Sequence, residues 1–325
     1  MDKIHVGGQA VIEGVMMRAP RSIAIAVRRP DGEIVVRKEL AVPLSERFPI
    51  VKLPIIRGAV ALFTSLIIGI KALNFSANEA MSEDEKEKES VKNKDKDKDK
   101  DKDKDKDKEG GGELSSWAMA GTMSIAFGFG ICLFFLFPLY LTKLLTPVIG
   151  DNNIVFNLVD GVIRVIVFLL YIWAISRMED IQRVFQYHGA EHKSIFAFED
   201  GIELTVENVR HYSRLHPRCG TSFLLIVMLV SIAVFSLVPK LWPFYLKAGS
   251  RIVLLPMIAG ISYEFLKWSA THDGHPLVKM IITPGLALQR LTTREPDDSQ
   301  LEVAIRAMNE ALEVNAGYKD DRIVV

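Results

Sequence analysis

The sequence predicts an α-helical multi-pass membrane protein with about four spanning helices, one re-entrant or surface helix and a small N-terminal β-rich cytoplasmic region. Three observations predict it. Hydrophobic residues make up 49% of the 325, and they gather in long uninterrupted runs. Aromatic residues fall near the ends of those runs, where a bilayer interface would place them. Basic residues are concentrated in alternate connecting segments, which is the bias that sets membrane orientation. The formal net charge of zero lacks the basic footprint that nucleic acid would require. The two cysteines, Cys132 and Cys219, argue against a disulfide framework and fit a reducing compartment. The first residues carry no apolar signal core, so nothing points to export of this end.

Residues 1–52 read as the β-rich region. Ser22 to Val27 and Glu33 to Arg37 are β-prone runs either side of a Pro-Asp-Gly turn, a hairpin signal. Ahead of them, Gly7, Gly8 and Gly14 surround Glu13, which is a site candidate or the exposed acid of a glycine-bounded strand. Residues 53–75 are apolar, but Arg57 and Lys71 leave only thirteen uncharged residues between them. A span needs roughly 20, so a re-entrant or surface-lying helix is expected.

Residues 79–113 form a charged linker with seven Lys-Asp pairs from Lys94 to Asp107. Such a run has no apolar face and should be a disordered spacer. Residues 114–295 follow as the membrane domain. Its expected spans are Trp117 to Leu141, Ile154 to Ile175, Thr221 to Val238 and Ile252 to Trp268. Both termini and the histidine-rich loop 177–220 fall on the basic, cytoplasmic side, provided 53–75 does not cross. Residues 296–325 read as an amphipathic helix and tail, with apolar positions at Leu301, Ala304, Ala307, Met308, Ala311 and Leu312.

The chemistry concentrates in loop 177–220. His188 and His192 are four apart and share a helical face with Glu191. Two imidazoles at that spacing can hold one divalent metal, and the carboxylate can bind it or act as a general base. His216 and Cys219, three apart around Pro217 and Arg218, could be presented to the same ion. The structural alternative for that second cluster is a basic turn meeting anionic lipid. Glu264 is an acid inside an otherwise apolar span, a functional candidate by default. It could complete the metal shell or pair with Arg164, for which Asp160 is the other available partner. His272 to Pro276 is rich in ligand types, but its glycine and proline favour an exposed turn.

The stretch from Gly7 to Arg18 resembles the opening of the YqhQ-like bacterial membrane protein family, which carries a domain of unknown function and is labelled a predicted metal-dependent enzyme. Tyr187 to Lys193, His216 to Phe223, and Pro284-Gly285-Leu286 through Asp298 match it in the same order. The resemblance implies a bacterial multi-pass membrane protein with a metal site. His-x-x-Glu-His also resembles the inverted zinc-protease signature, in which a downstream Glu such as Glu264 is the third ligand. Motif analogy alone does not decide function.

The expectation is therefore a cytoplasm-facing divalent-metal site, with zinc as the candidate ion. His188, His192, Glu264, His216 and Cys219 are the candidate ligands, Glu191 is the candidate catalytic residue, and Glu13 and Arg218 are further candidates. Hydrolysis by metal-activated water is the matching chemistry. The rival is a non-enzymatic membrane scaffold or assembly factor. It would bind a cytoplasmic partner or another membrane protein through the β-rich region, the histidine loop and the tail helix.

Overall fold

The computed structural model describes residues 4–81, 116–150, 152–217, 219–239, 241–272 and 275–320. The Lys-Asp run and Arg218 lie outside these residues.

Four strands open the chain: β1 Gly7–Val11, β2 Gly14–Ala19, β3 Ser22–Arg28 and β4 Ile34–Leu40. They pair in sequence order as an antiparallel meander. The β3–β4 hairpin is the one its Pro-Asp-Gly turn predicts. The β1–β2 hairpin is not legible in the same way, because its tight turn is Ile12-Glu13 rather than a glycine pair. Glu13 accordingly sits in the left-handed region, at φ 50°.

The principal helices follow. α1 is Ile56–Ala80. α2 runs Ser116–Ile131, continues through a π-helical turn Cys132–Leu136 and ends as Phe137–Leu144. α3 is Asn153–Ile175, capped by the Asn152 side chain. α4, Glu179–Glu199, turns the first half of the expected histidine loop into helix. α5 is Gly220–Ser236, shorter than a standard span. α6, Phe244–Val253, and α7, Leu255–Thr271, form a pair bent by 44°. α8, Pro276–Thr292, lies along α5. α9, Asp298–Asp320, is the predicted tail helix. Among the described residues three helices are long and apolar enough to cross a membrane, or four with the bent pair.

Both faces of the sheet are covered. Val15, Met17, Ala24 and Ala26 face one core, and Val11, Met16, Ile23, Ile25 and Val27 face another. The alternation is that of a pleated strand, with both sets apolar because neither face meets water. The alanine side of β3 lets α9 lie close. Leu301, Ala304, Ala307, Met308 and Ala311 are at most 1% exposed, packed against the sheet and α4. The sheet, α4 and α9 thus share one core around the histidine segment.

The second face of the sheet packs on α1 through Ile68, Ala72 and Phe75. At 25 residues α1 is longer than the expected 53–75 segment and passes a length and hydropathy test for a span. Yet Ala41, well before it, packs in the same cluster as Phe75 near its end. The excursion leaves the sheet and returns to it. Its outbound stretch exposes Val42, Leu44, Phe48, Ile50 and Leu53.

Charge inside the helical bundle is paired. Arg164 meets Asp160 at 2.6 Å, and Arg251 meets the same carboxylate at 3.0 Å. Arg251 belongs by sequence to the basic residues of a connecting loop, but it is 1% exposed and packs over the Phe235 ring. Asp160, not Glu264, is therefore Arg164's partner.

Candidate metal centre

α4 carries the site, and its ends explain its place. Glu179 and Asp180 lie in the first turn, where they complement the helix dipole. At the other end Ile202 N–H bonds Ala197 O and Gly201 N–H bonds Phe198 O, with Gly201 at φ 71°. This is a Schellman stop, and it needs the glycine. Midway, a Cβ on Gly189 would lie 2.1 Å from the Arg294 carbonyl oxygen. Only glycine lets α4 press against the strap that joins α8 to α9, where Arg294 N–H bonds Phe185 O at 2.8 Å.

The end of α8 and the loop before α5 set the imidazoles. His188 Nδ1 lies 2.8 Å from Thr292 O, and His192 Nδ1 lies 2.6 Å from Arg214 O. A carbonyl can only accept, so each Nδ1 is a protonated nitrogen, and a ring with no second proton presents Nε2 as an acceptor. His192 Nε2 is buried without a hydrogen-bond partner among the described residues. His188 Nε2 lies 3.2 Å from Cys219 Sγ. One ligand atom each from His188, His192 and Cys219 fall within 4.8 Å of one another.

Cys219 is held as the N-cap of α5, its sulfur accepting from Thr221 N–H. Gln289 on α8 fixes the loop by bonding both N–H and C=O of His216, at 2.8 and 2.7 Å. Arg214 is tied to the strap, donating through Nη1 to Thr293 O and Oγ1.

The other candidates are placed as follows. His216 is buried beside His192, with ring centres 5.7 Å apart, but its Nε2 faces Glu199 at 3.4 Å. It borders the three-residue group without belonging to it. Glu264, expected to complete the shell, is engaged elsewhere: Arg57 Nε donates to its Oε1 at 2.6 Å and Nη2 to its Oε2. The α1–α7 crossing that makes this pair is close because Gly58 meets Tyr263 and Gly260 meets Ile55. Glu13 is taken by Arg183 through two 2.5 Å contacts, with Tyr187 Oη donating at 3.3 Å. It clamps the β1–β2 turn to α4.

Glu191 stays with the site. It is buried, its carboxylate accepts from Gly8 N–H, and desolvation raises its pKa to about 7, against the lowering by His188. A Cβ on Gly8 would come 2.7 Å from Glu191 Cγ, so the glycine is a condition of that contact. A cavity of about 430 Å³ opens beside them, lined by His5, Glu191, His192, His216, Cys219 and Lys267. Sequence reading missed Gly8 and Lys267 as site residues. The Gly7-Gly8 pair was the available signal, but it suggested tight geometry near Glu13, whereas the fold brings it to Glu191.

Two imidazoles and a thiol around one point are zinc-type donors. Carbonyls on the outer nitrogens are the supporting arrangement that fixes a metal-binding tautomer. The residues present fit such an ion.

Comparison with known proteins agrees with the resemblance seen in sequence. The family described as Protein of unknown function (DUF1385) matches residues 53–314. The chain belongs to this family. It is also 39% identical over 314 residues to "Uncharacterized protein YqhQ" of Bacillus subtilis (strain 168), covering 95% of this chain and 93% of that protein. No solved structure matches. The matched region contains His188, His192, Cys219 and Glu191, whereas Gly8 lies before it.

Proposed function

We propose that this chain is an integral membrane protein with a cytoplasm-facing zinc site, and that it acts as a metal-dependent hydrolase. The observation that carries the reading is the pair of bare Nε2 atoms, one buried and unpartnered among the described residues, converging with Cys219 Sγ. A buried acceptor left without a partner costs free energy unless something binds it. Zinc so held would act as a Lewis acid that activates water. Glu191, near neutrality in its burial, is suited to hold or take a proton beside it. Lys267 and His5 on the rim would meet a polar or anionic substrate group.

The shared core constrains the topology. The sheet, α4 and α9 share one core, and in this reading all three lie on one side with an even number of crossings between them. In this reading α2 and α3 supply two, and the short apolar α5 with the bent α6–α7 pair supplies two more. α1 then dips and returns, consistent with both ends of its excursion meeting the sheet. The basic residues of this side support a cytoplasmic location for both termini and the site. The apolar face of α9, which a scaffold would offer to a partner, is used up within the chain.

Elemental analysis of the purified protein tests the metal site. About one zinc per chain is expected in wild type, with loss in His188→Ala and Cys219→Ser. Absence of stoichiometric metal, or equal metal in wild type and in folded samples of both variants, would overturn it.

A further inference from the structure

A second cavity, of about 680 Å³, opens against the strap. Four arginines line it, Arg177, Arg214, Arg290 and Arg294, with Glu295 the one acid and Trp173 at the edge. The acid does not neutralise the group. Glu295 pairs with buried Lys193 and lies 3.8 Å from Arg214. Arg294 donates to Ser176 O at 3.2 Å, a neutral acceptor that leaves its charge in place, while Arg214 donates to Thr293 and shares Glu295 with Lys193, two cations for one acid. Arg177 stacks over the Trp173 ring at 4.8 Å. Arg290 is exposed and has no partner among the described residues.

The site is therefore an anchored, net cationic cavity whose donors are guanidinium forks. Such forks match the oxygens of a phosphate group in geometry and charge. Its place adds a second indication. Trp173 lies near the end of α3, an apolar helix, and Trp173 and Leu291 are exposed large apolar side chains in the cavity's lining. Arginines below an apolar, aromatic rim are how a bilayer-facing protein meets an anionic headgroup.

We infer that this cavity binds a phosphate group, with a phospholipid headgroup and a soluble phosphate as its two sources. Arg214 and Arg294 are its fixed floor, and Arg177 and Arg290 are its outer clamp. The site is separate from the zinc reading and does not depend on it.

The test uses the full chain in detergent, with bound ligand measured by native mass spectrometry. It is titrated with short-chain phosphatidylglycerol, short-chain phosphatidylcholine and inorganic phosphate. Phosphatidylglycerol is expected to bind at least about tenfold more tightly than phosphatidylcholine, and to weaken as salt rises. The double variant Arg177→Glu, Arg290→Glu changes two exposed side chains and should keep the wild-type melting temperature without ligand. It is expected to lose about tenfold or more in affinity. Competition by inorganic phosphate, or binding of phosphate without lipid, supports the site and assigns it to a soluble source. Equal binding by wild type and the folded double variant, or binding of neither phosphatidylglycerol nor phosphate, would overturn the inference.

Discussion

His192 Nδ1 sits 2.6 Å from the backbone oxygen of Arg214, twenty-two positions along the chain, and this contact makes the opposite nitrogen of the neutral ring an acceptor. The same device acts on His188 through Thr292. Both supporting partners are backbone atoms, so the imidazoles are oriented by the main chain of distant segments.

Metal binding should therefore stabilise the folded protein. Zinc at one hundred times its dissociation constant is expected to add about 2.7 kcal/mol. His192→Ala should lose this gain, read as the shift in melting temperature between zinc-loaded and chelator-treated samples. Acidification should weaken binding, because the imidazoles and thiol must release protons to ligate.

Glu191 gives a pH signature in the metal-free protein. Its pKa is raised to about 7 by burial, so the folded state holds a proton that the unfolded state releases above its ordinary range near 4.5. The stabilisation from that proton is present in acid and declines as pH rises towards 7, where the buried carboxylate must carry charge. Glu191→Gln stays neutral throughout. It should be more stable than wild type at pH 8, by about 3 kcal/mol, and similar near pH 4. Chemical denaturation of chelated samples at the two pH values checks this; a constant difference would sink it.

Gly189→Ala should push α4 away from the strap. The new Cβ would meet the Arg294 carbonyl at 2.1 Å, and the strap cannot yield without losing Phe185 O. A loss of about 2 to 3 kcal/mol is expected. Zinc affinity should fall too, since Thr292 adjoins that segment. Unfolding and chelator competition on one preparation measure both.

Glu264→Gln separates structure from ligation. Arg57 and Glu264 side chains are 31% and 24% exposed, so a solvent-screened pair is being weakened and stability should fall only modestly. Zinc content should be unchanged. A variant of normal stability that lost its metal would show that this acid is a ligand after all.

A topology reporter inserted in the Lys-Asp run should read cytoplasmic if α1 dips and returns. An external reading would mean that α1 crosses and that the shared core does not form as described.

Much of this was legible along the chain because it depends on local pattern. His188, Glu191 and His192 share a face by the helical repeat alone, and the Pro-Asp-Gly turn announces the β3–β4 hairpin. The apolar face of the tail helix was equally plain, though not what would cover it. The two basic residues that proved deceptive, Arg57 and Arg251, illustrate the limit. Each looked like a flank or loop charge until its acid, 207 positions away for Arg57, came opposite it in the fold.

The sequence by itself determined the apolar helices, the β3–β4 hairpin, the tail helix and the histidine pair, because periodicity and composition act over a few residues. Only the tertiary structure decided that Cys219 joins the histidines while His216 and Glu264 turn elsewhere, and that Gly8 rather than a side chain meets Glu191. Those outcomes depend on which carbonyls and cations distant segments bring into reach. Charge pairing and hydrogen bonding act within a few ångströms of space, and spacing along the chain does not encode that distance.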